Sequence, residues 1–145
     1  MQLAYPAHVT RTGNGAVIVE FSDVPQALTE GQDEAEALAW AQDALIVALS
    51  GYLDAGVPLP KPSKVKKGDI SVPVPPLVAA KLAIFSAMRE QGVSRVELAA
   101  RLKSDEKQVR RLLDLDHNSR FDQIEAALRV LGKTLVVEVR DLATA

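Results

Sequence analysis

The chain contains no cysteine among its 145 residues. That absence excludes disulfide staples, thiolate metal sites and cysteine nucleophiles together. No apolar run approaches the ~18 residues of a membrane span, and the N-terminus has neither the basic start nor the apolar core of a secretory leader. A cytoplasmic protein is the expectation. Glycine-rich phosphate loops, nucleophile elbows and metal-ligand spacings are also missing. The two histidines, His8 and His117, stand apart in polar surroundings, where a solvated or hydrogen-bonded side chain is the plain reading. No catalytic residue, metal ligand or cofactor is implied.

Bases are nearly absent from the front of the chain. Residues 1–60 hold Arg11 against eight acids (Glu20, Asp23, Glu30, Asp33, Glu34, Glu36, Asp43 and Asp54), a net charge of −7. Residues 61–72 hold Lys61, Lys64, Lys66 and Lys67 against Asp69, net +3, and residues 73–145 hold twelve bases and ten acids, net +2. An acidic front joined to a mildly basic back implies two surfaces with different partners. Apolar residues at 48% and charged residues at 25% give the mix of a soluble globular protein.

Six of the eight prolines fall between residues 58 and 76, where no helix can continue. The chain therefore divides into residues 1–62, a connector over 63–75 and residues 76–145. The front reads β-β-α. Leu3, Tyr5, Ala7 and Val9 alternate, with Pro6 marking an edge strand or bulge. A Thr12-Gly13-Asn14-Gly15 turn leads to a strand with Val17, Val19 and Phe21 on one face, and a short third strand is expected over 26–29. Asp33 opens a helix with Glu36 at the capping-box position, and Leu38, Ala41, Leu45, Ala48, Leu49 and Tyr52 recur at helical spacing up to Gly56. Trp40 is expected to pack against the sheet. Ile70, Val72 and Val74 alternate and can return one strand to it.

The back is helical: one helix from Pro75-Pro76 to Gly92, one capped by Ser94, one by Asp105, and one by Asn118 or Ser119 running to Gly132. The run LVVEV at 135–139 reads as a strand, able to pair with its copy in a dimer. The fold class is thus α+β: a small sheet with one packed helix, then an all-α domain ending in a short strand.

Residues 94–113 carry the sharpest pattern. A helix-turn-helix needs a small residue where its helices meet, and Ala99 stands there. Val96, Leu98, Leu102, Val109 and Leu112 are its expected interior. The second helix then presents Lys107, Gln108, Arg110 and Arg111, donors suited to base edges and phosphates. Ser94, Arg95, Asp105, Glu106, Asn118 and Arg120 complete the DNA-binding candidates. The plainer alternative is an αα-hairpin in a helical domain. "VSRVELAARL", "DEKQVRRLL" and "SRFDQIEAALRVLGKTL" resemble the phage-repressor-like (Xre-type) helix-turn-helix family over residues 77–135. The family often has glycine in the turn where Lys103 stands, and Asp105 and Glu106 repel phosphate.

The front resembles HicB antitoxins: Tyr5-Pro6, then Val19-Glu20-Phe21 with Asp23 and Pro25, then Ala27-Leu28-Thr29-Glu30-Gly31, an alanine-rich helix, and Gly56 leading to Leu59-Pro60-Lys61-Pro62-Ser63. With the helix-turn-helix, the resemblance covers nearly the whole chain. It implies a partial RNase H-like N-terminal domain that covers a small basic toxin, HicA, which cleaves mRNA with a histidine. It also implies a C-terminal domain that binds the operator and represses the pair's own promoter. Charge offers Glu20, Asp23, Glu30, Asp33 and Glu34 as toxin contacts, because an acidic surface suits a cationic partner. A homodimer or higher even oligomer is expected, because such proteins read two half-sites. Two alternatives remain: a stand-alone repressor with a sensing or oligomerisation domain, and a metal-dependent RNase using Asp23, Glu30, Asp33 and Glu34.

Overall fold

In the computed structural model, which describes residues 3–142, the chain runs β1 (Ala4–Arg11), β2 (Val17–Glu20), β3 (Leu28–Gly31), α1 (Glu34–Ala55), β4 (Ile70–Pro73), α2 (Pro76–Gln91), α3 (Arg95–Arg101), α4 (Glu106–Leu113) and α5 (Phe121–Val130). The strands form one antiparallel sheet ordered β3-β2-β1-β4. The return strand predicted over 70–74 is therefore in the sheet. The third strand lies at 28–31 rather than 26–29, because Ala27 N–H closes a turn onto Val24 O at 2.9 Å.

Pro6 is not on an edge strand, since β1 lies between β2 and β4. Its missing N–H nevertheless costs no ladder bond. Ala4 to Ala7 pair only with β4, and His8 to Arg11 only with β2. Val74 N–H donates to Leu3 O at 2.9 Å, so alternation turns the odd residues of β1 towards β4. The Pro6 nitrogen then faces the opposite flank, beyond the end of the β2 ladder.

α1 covers one face of the sheet. Its buried residues recur every four positions, Ala37, Ala41, Leu45, Leu49 and Leu53, and meet Tyr5, Ala7, Val17, Val19 and Val72. Asp33 Oδ1 caps the helix by accepting from Glu36 N–H at 2.8 Å. The Glu36 carboxylate does not reach back to complete a capping box; it accepts from Trp40 Nε1 at 3.4 Å. Trp40 is 53% exposed, contrary to the expectation of sheet packing. One residue before Ala41, it lies about 100° around the helix from the buried stripe. Gly31 fixes how closely β3 approaches α1: a Cβ there would stand 2.5 Å from Ala37 N.

The remaining helices pack around Val78, Leu82, Ile84, Phe85, Leu98, Val109, Leu112, Ile124 and Leu128. Ala99 is buried at the α3–α4 junction, as its size predicts. Val96 is 61% exposed instead of interior, because two positions from Leu98 it points to the opposite side of α3. Neither Asn118 nor Ser119 caps α5; Arg120 holds the N-cap position without a side-chain bond. Residues 135–139 form no strand with any other part of the described chain, and Val136, Val137 and Val139 are exposed. The helices around it offer no ladder edge, so the strand expected over 135–139 does not form among the described residues.

Candidate functional site

Paired residues in an antiparallel sheet share a face. On the face away from α1, His8, Glu20 and Leu28 stand abreast, followed by Thr10, Ile18 and Glu30. All are exposed except half-buried Ile18. Glu20 and Glu30 are diagonal neighbours around the apolar pair Ile18 and Leu28, and neither makes an ion pair among the described residues. At one margin His8 Nδ1 lies 3.1 Å from Asp69 Oδ1.

The other three acids proposed for partner binding already have internal partners. Asp33 caps α1, and Glu34 Oε2 pairs with Arg11 at 2.8 Å. Asp23 Oδ2 accepts from both Ser63 N–H and Ser63 Oγ, each at 2.9 Å. This latch straps the proline-rich connector along the sheet half, together with the Tyr5 hydroxyl donating to Pro60 O at 2.7 Å. Burial, reinforced by the negative charge of Asp23, pushes the Tyr5 phenol up to about 12. The four carboxylates weighed for a metal-dependent nuclease do not converge. Among the described residues no group of three His, Asp or Glu side chains could hold a metal ion.

At the other end of the chain, α3 and α4 meet through a tight turn. Ser94 Oγ accepts from Glu97 N–H at 3.1 Å and Asp105 Oδ1 from Gln108 N–H at 2.8 Å, so both residues are N-caps as read from the sequence. α3 ends in a Schellman turn, with Ser104 N–H on Ala99 O at 2.9 Å and Lys103 N–H on Ala100 O at 3.1 Å. Its left-handed position is Lys103, at φ 53°. α4 buries Val109, Leu112 and Leu113 and exposes Glu106, Lys107, Arg110 and Arg111, with Gln108 half-buried. Lys107, Arg110 and Arg111 make no ion pair among the described residues. Arg95 and Asn118 are exposed. Arg120 is tied to Asp122 at 2.6 Å, and its guanidinium holds that carboxyl below the usual range.

One residue of consequence escaped the reading of the sequence. Lys81, in α2, is fully buried. Its ammonium donates to Arg111 O at 2.7 Å, Asp114 O at 2.7 Å and Ser119 Oγ at 2.8 Å. Burial lowers its pKa from the ordinary value, and the charge of Asp114 opposes that shift. The signal was present: Val78, Lys81, Leu82, Phe85 and Met88 repeat at helical spacing, and a lysine inside an apolar stripe calls for buried acceptors.

One chain thus carries an acidic, partly apolar sheet face and a helix pair with exposed cations. Residues 4–83 match the family described as HicB-like antitoxin of bacterial toxin–antitoxin system. Antitoxin HicB of Escherichia coli K12 is 34% identical over 133 residues, 92% of this chain and 96% of that protein. Antitoxin HicB 2 of Photorhabdus laumondii is 37% identical over 133 residues, 92% of this chain and 94% of its own length. Antitoxin HicB of Pseudomonas fluorescens Pf0-1 is 35% identical over 126 residues, 86% of each. The chain belongs to the HicB-like antitoxin family. These relatives are named as antitoxins, consistent with a non-enzyme. No helix among the described residues is long and apolar enough to cross a membrane.

Proposed function

We propose that this antitoxin neutralises a small basic, HicA-like, mRNA-cleaving toxin with its acidic N-terminal half, and represses its own operon by binding operator DNA through α3 and α4 as a helix-turn-helix. The observation that carries this reading is the presence of two exposed surfaces of opposite charge on one chain. Glu20 and Glu30 flank Ile18 and Leu28 on the bare sheet face, a mixture of carboxylate and apolar surface suited to a cationic protein. Asp33 and Glu34, engaged with the α1 N-terminus and Arg11, leave Glu20 and Glu30 as the free carboxylates, and Asp23 supports the face by holding the connector. The exposed Lys107, Arg110 and Arg111, with Gln108 beside them, are the groups for bases and phosphates. Ser94, Arg95, Asn118 and Arg120 fix register on the backbone. The protein works in the cytoplasm, where its operator and the toxin's mRNA targets are.

Two half-sites require two copies, and residues 133–141 can supply the join. Antiparallel pairing of this segment with its copy about Val137 sets Leu135 against Val139 and Lys133 against Asp141. Centring on Glu138 would oppose like charges. Loss of residues 134–145 should then lower the oligomer mass in light scattering, and an unchanged mass contradicts this join.

The test of the main proposal uses the full chain with the small basic protein encoded beside it and a duplex from upstream of its gene. Glu20→Lys with Glu30→Lys should abolish co-purification of the partner and leave DNA binding intact. Lys107→Ala and Arg110→Ala should each weaken the duplex by about 1–3 kcal/mol and leave partner capture intact. Partner retention by the reversed surface contradicts the first half of the proposal. Equal affinity of the wild type for unrelated DNA contradicts the second.

A further inference from the structure

Helix α4 has only eight residues, too few to hold its own shape in water. Its buried side chains, Val109, Leu112 and Leu113, set which face turns inward, but apolar contact is non-directional and three side chains do not by themselves hold the helix end at one angle. Lys81 supplies the missing direction. Arg111 and Asp114, whose carbonyls it binds, are the last turn and C-cap of α4, and Ser119 stands in the turn leading to α5. Ser119 Oγ also lies 3.3 Å from Arg111 O, so the three acceptors form one cluster around a single cation. All three ammonium protons are used, and a positive charge at a helix C-terminus is favoured by the helix dipole.

We propose that Lys81 is a positioning residue for DNA recognition: it locks the C-terminal end of α4 and the α4–α5 turn onto α2, and so fixes where Lys107, Gln108 and Arg111 point. The role rests on the DNA-binding reading of α4. Side chains on a helix reach ~5–6 Å from its axis, so a rotation of about 20° displaces a donor by about 2 Å. A hydrogen bond to a base edge does not survive that displacement. Contacts to phosphate tolerate it better, because long flexible cations meet a continuous line of charge.

The experiment compares the full-length wild type with Lys81→Met and Ser119→Ala, at a temperature where circular dichroism shows each variant folded. Two quantities are read: amide hydrogen exchange along the chain, and the affinity ratio between the upstream duplex and an unrelated duplex of equal length. Lys81→Met should speed exchange of backbone amides over 111–119 by about tenfold or more and leave those of the sheet unchanged. The affinity ratio should fall by about tenfold, with unrelated DNA bound nearly as before. Ser119→Ala, which removes one of three acceptors, should move both quantities the same way by less, and decides the matter should Lys81→Met not fold. Equal weakening on both duplexes, or unchanged exchange over 111–119, overturns the proposal. A wild type with no preference for the upstream duplex overturns the DNA-binding reading and the positioning role with it, while the exchange result still reports on the lock.

Discussion

The sheet half and the helical half close their cores by different means. Behind α1 the buried side chains are apolar apart from the Tyr5 hydroxyl, which reaches Pro60 O. Among the helices, an ammonium and a serine hydroxyl sit inside the core. Element length accounts for the contrast. α1 offers five buried positions along one stripe to a continuous sheet, whereas α3 and α4, of seven and eight residues, offer two and three. Short helices also bring their unsatisfied terminal carbonyls close to the core, and a buried donor satisfies them. Lys81 does this for α4, while exposed side chains of α2 serve other helix ends: the Gln91 amide donates to Leu131 O beyond α5 at 2.7 Å, and the Arg89 guanidinium donates to Gly56 O beyond α1. The half proposed to face the toxin is held by apolar burial. The half proposed to read DNA adds directed bonds to its apolar core.

That contrast is broken most readily at Lys81. Lys81→Ala removes the donor shared by the Arg111 and Asp114 carbonyls and the Ser119 hydroxyl, leaves a cavity in the core, and should cost about 3–5 kcal/mol in urea unfolding. A loss below about 1 kcal/mol would make the two cores alike. Tyr5 sharpens the other side through pH. Its folded pKa is raised from 10.0 to about 12, so between those values the unfolded chain gives up the proton while the folded chain keeps it. Stability therefore falls as pH rises through that window, by about 2–3 kcal/mol at its upper end. Lys81 acts in the opposite sense. Its lowered value makes the unfolded chain the better proton binder, so its contribution rises with pH up to the ordinary 10.5. Tyr5→Phe should abolish the alkaline fall, and a fall that persists assigns it elsewhere.

Gly31→Ala forces a methyl against the backbone of Ala37 and should destabilise the sheet half by about 1–3 kcal/mol in thermal unfolding. The smallest effect has the opposite sign. α1, α2 and α5 end at left-handed glycines, Gly56, Gly92 and Gly132, but α3 ends at left-handed Lys103. Lys103→Gly should stabilise by about 0.5–1 kcal/mol. A loss instead would mean that the lysine side chain makes up for its backbone strain.

What the sequence made legible were features governed by local rules. The alternation in β1, β2 and β4, the caps at Asp33, Ser94 and Asp105 and the small residue at Ala99 each follow from a period, a terminus or a size. Trp40 and Val96 went the other way because an apolar residue at a helix flank obeys the angle of the buried stripe rather than its own hydrophobicity. Pro6 lies inside the sheet because its two flanking ladders are offset along β1, a fact of pairing that no single strand displays. Of the proposed partner-binding acids, Glu20 and Glu30 stand on the bare face, whereas Asp23, Asp33 and Glu34 are engaged with Ser63, the α1 N-terminus and Arg11. Counting charge finds the half of the chain but not the side chains that remain free.

Co-expression with the small reading frame beside this gene, scoring growth and co-purification, decides whether this chain silences its neighbour. The neighbour should arrest growth alone, and growth should return when the full chain is supplied, with the two proteins purifying together. A neighbour that is harmless, or that is neither silenced nor retained by this chain, contradicts that role.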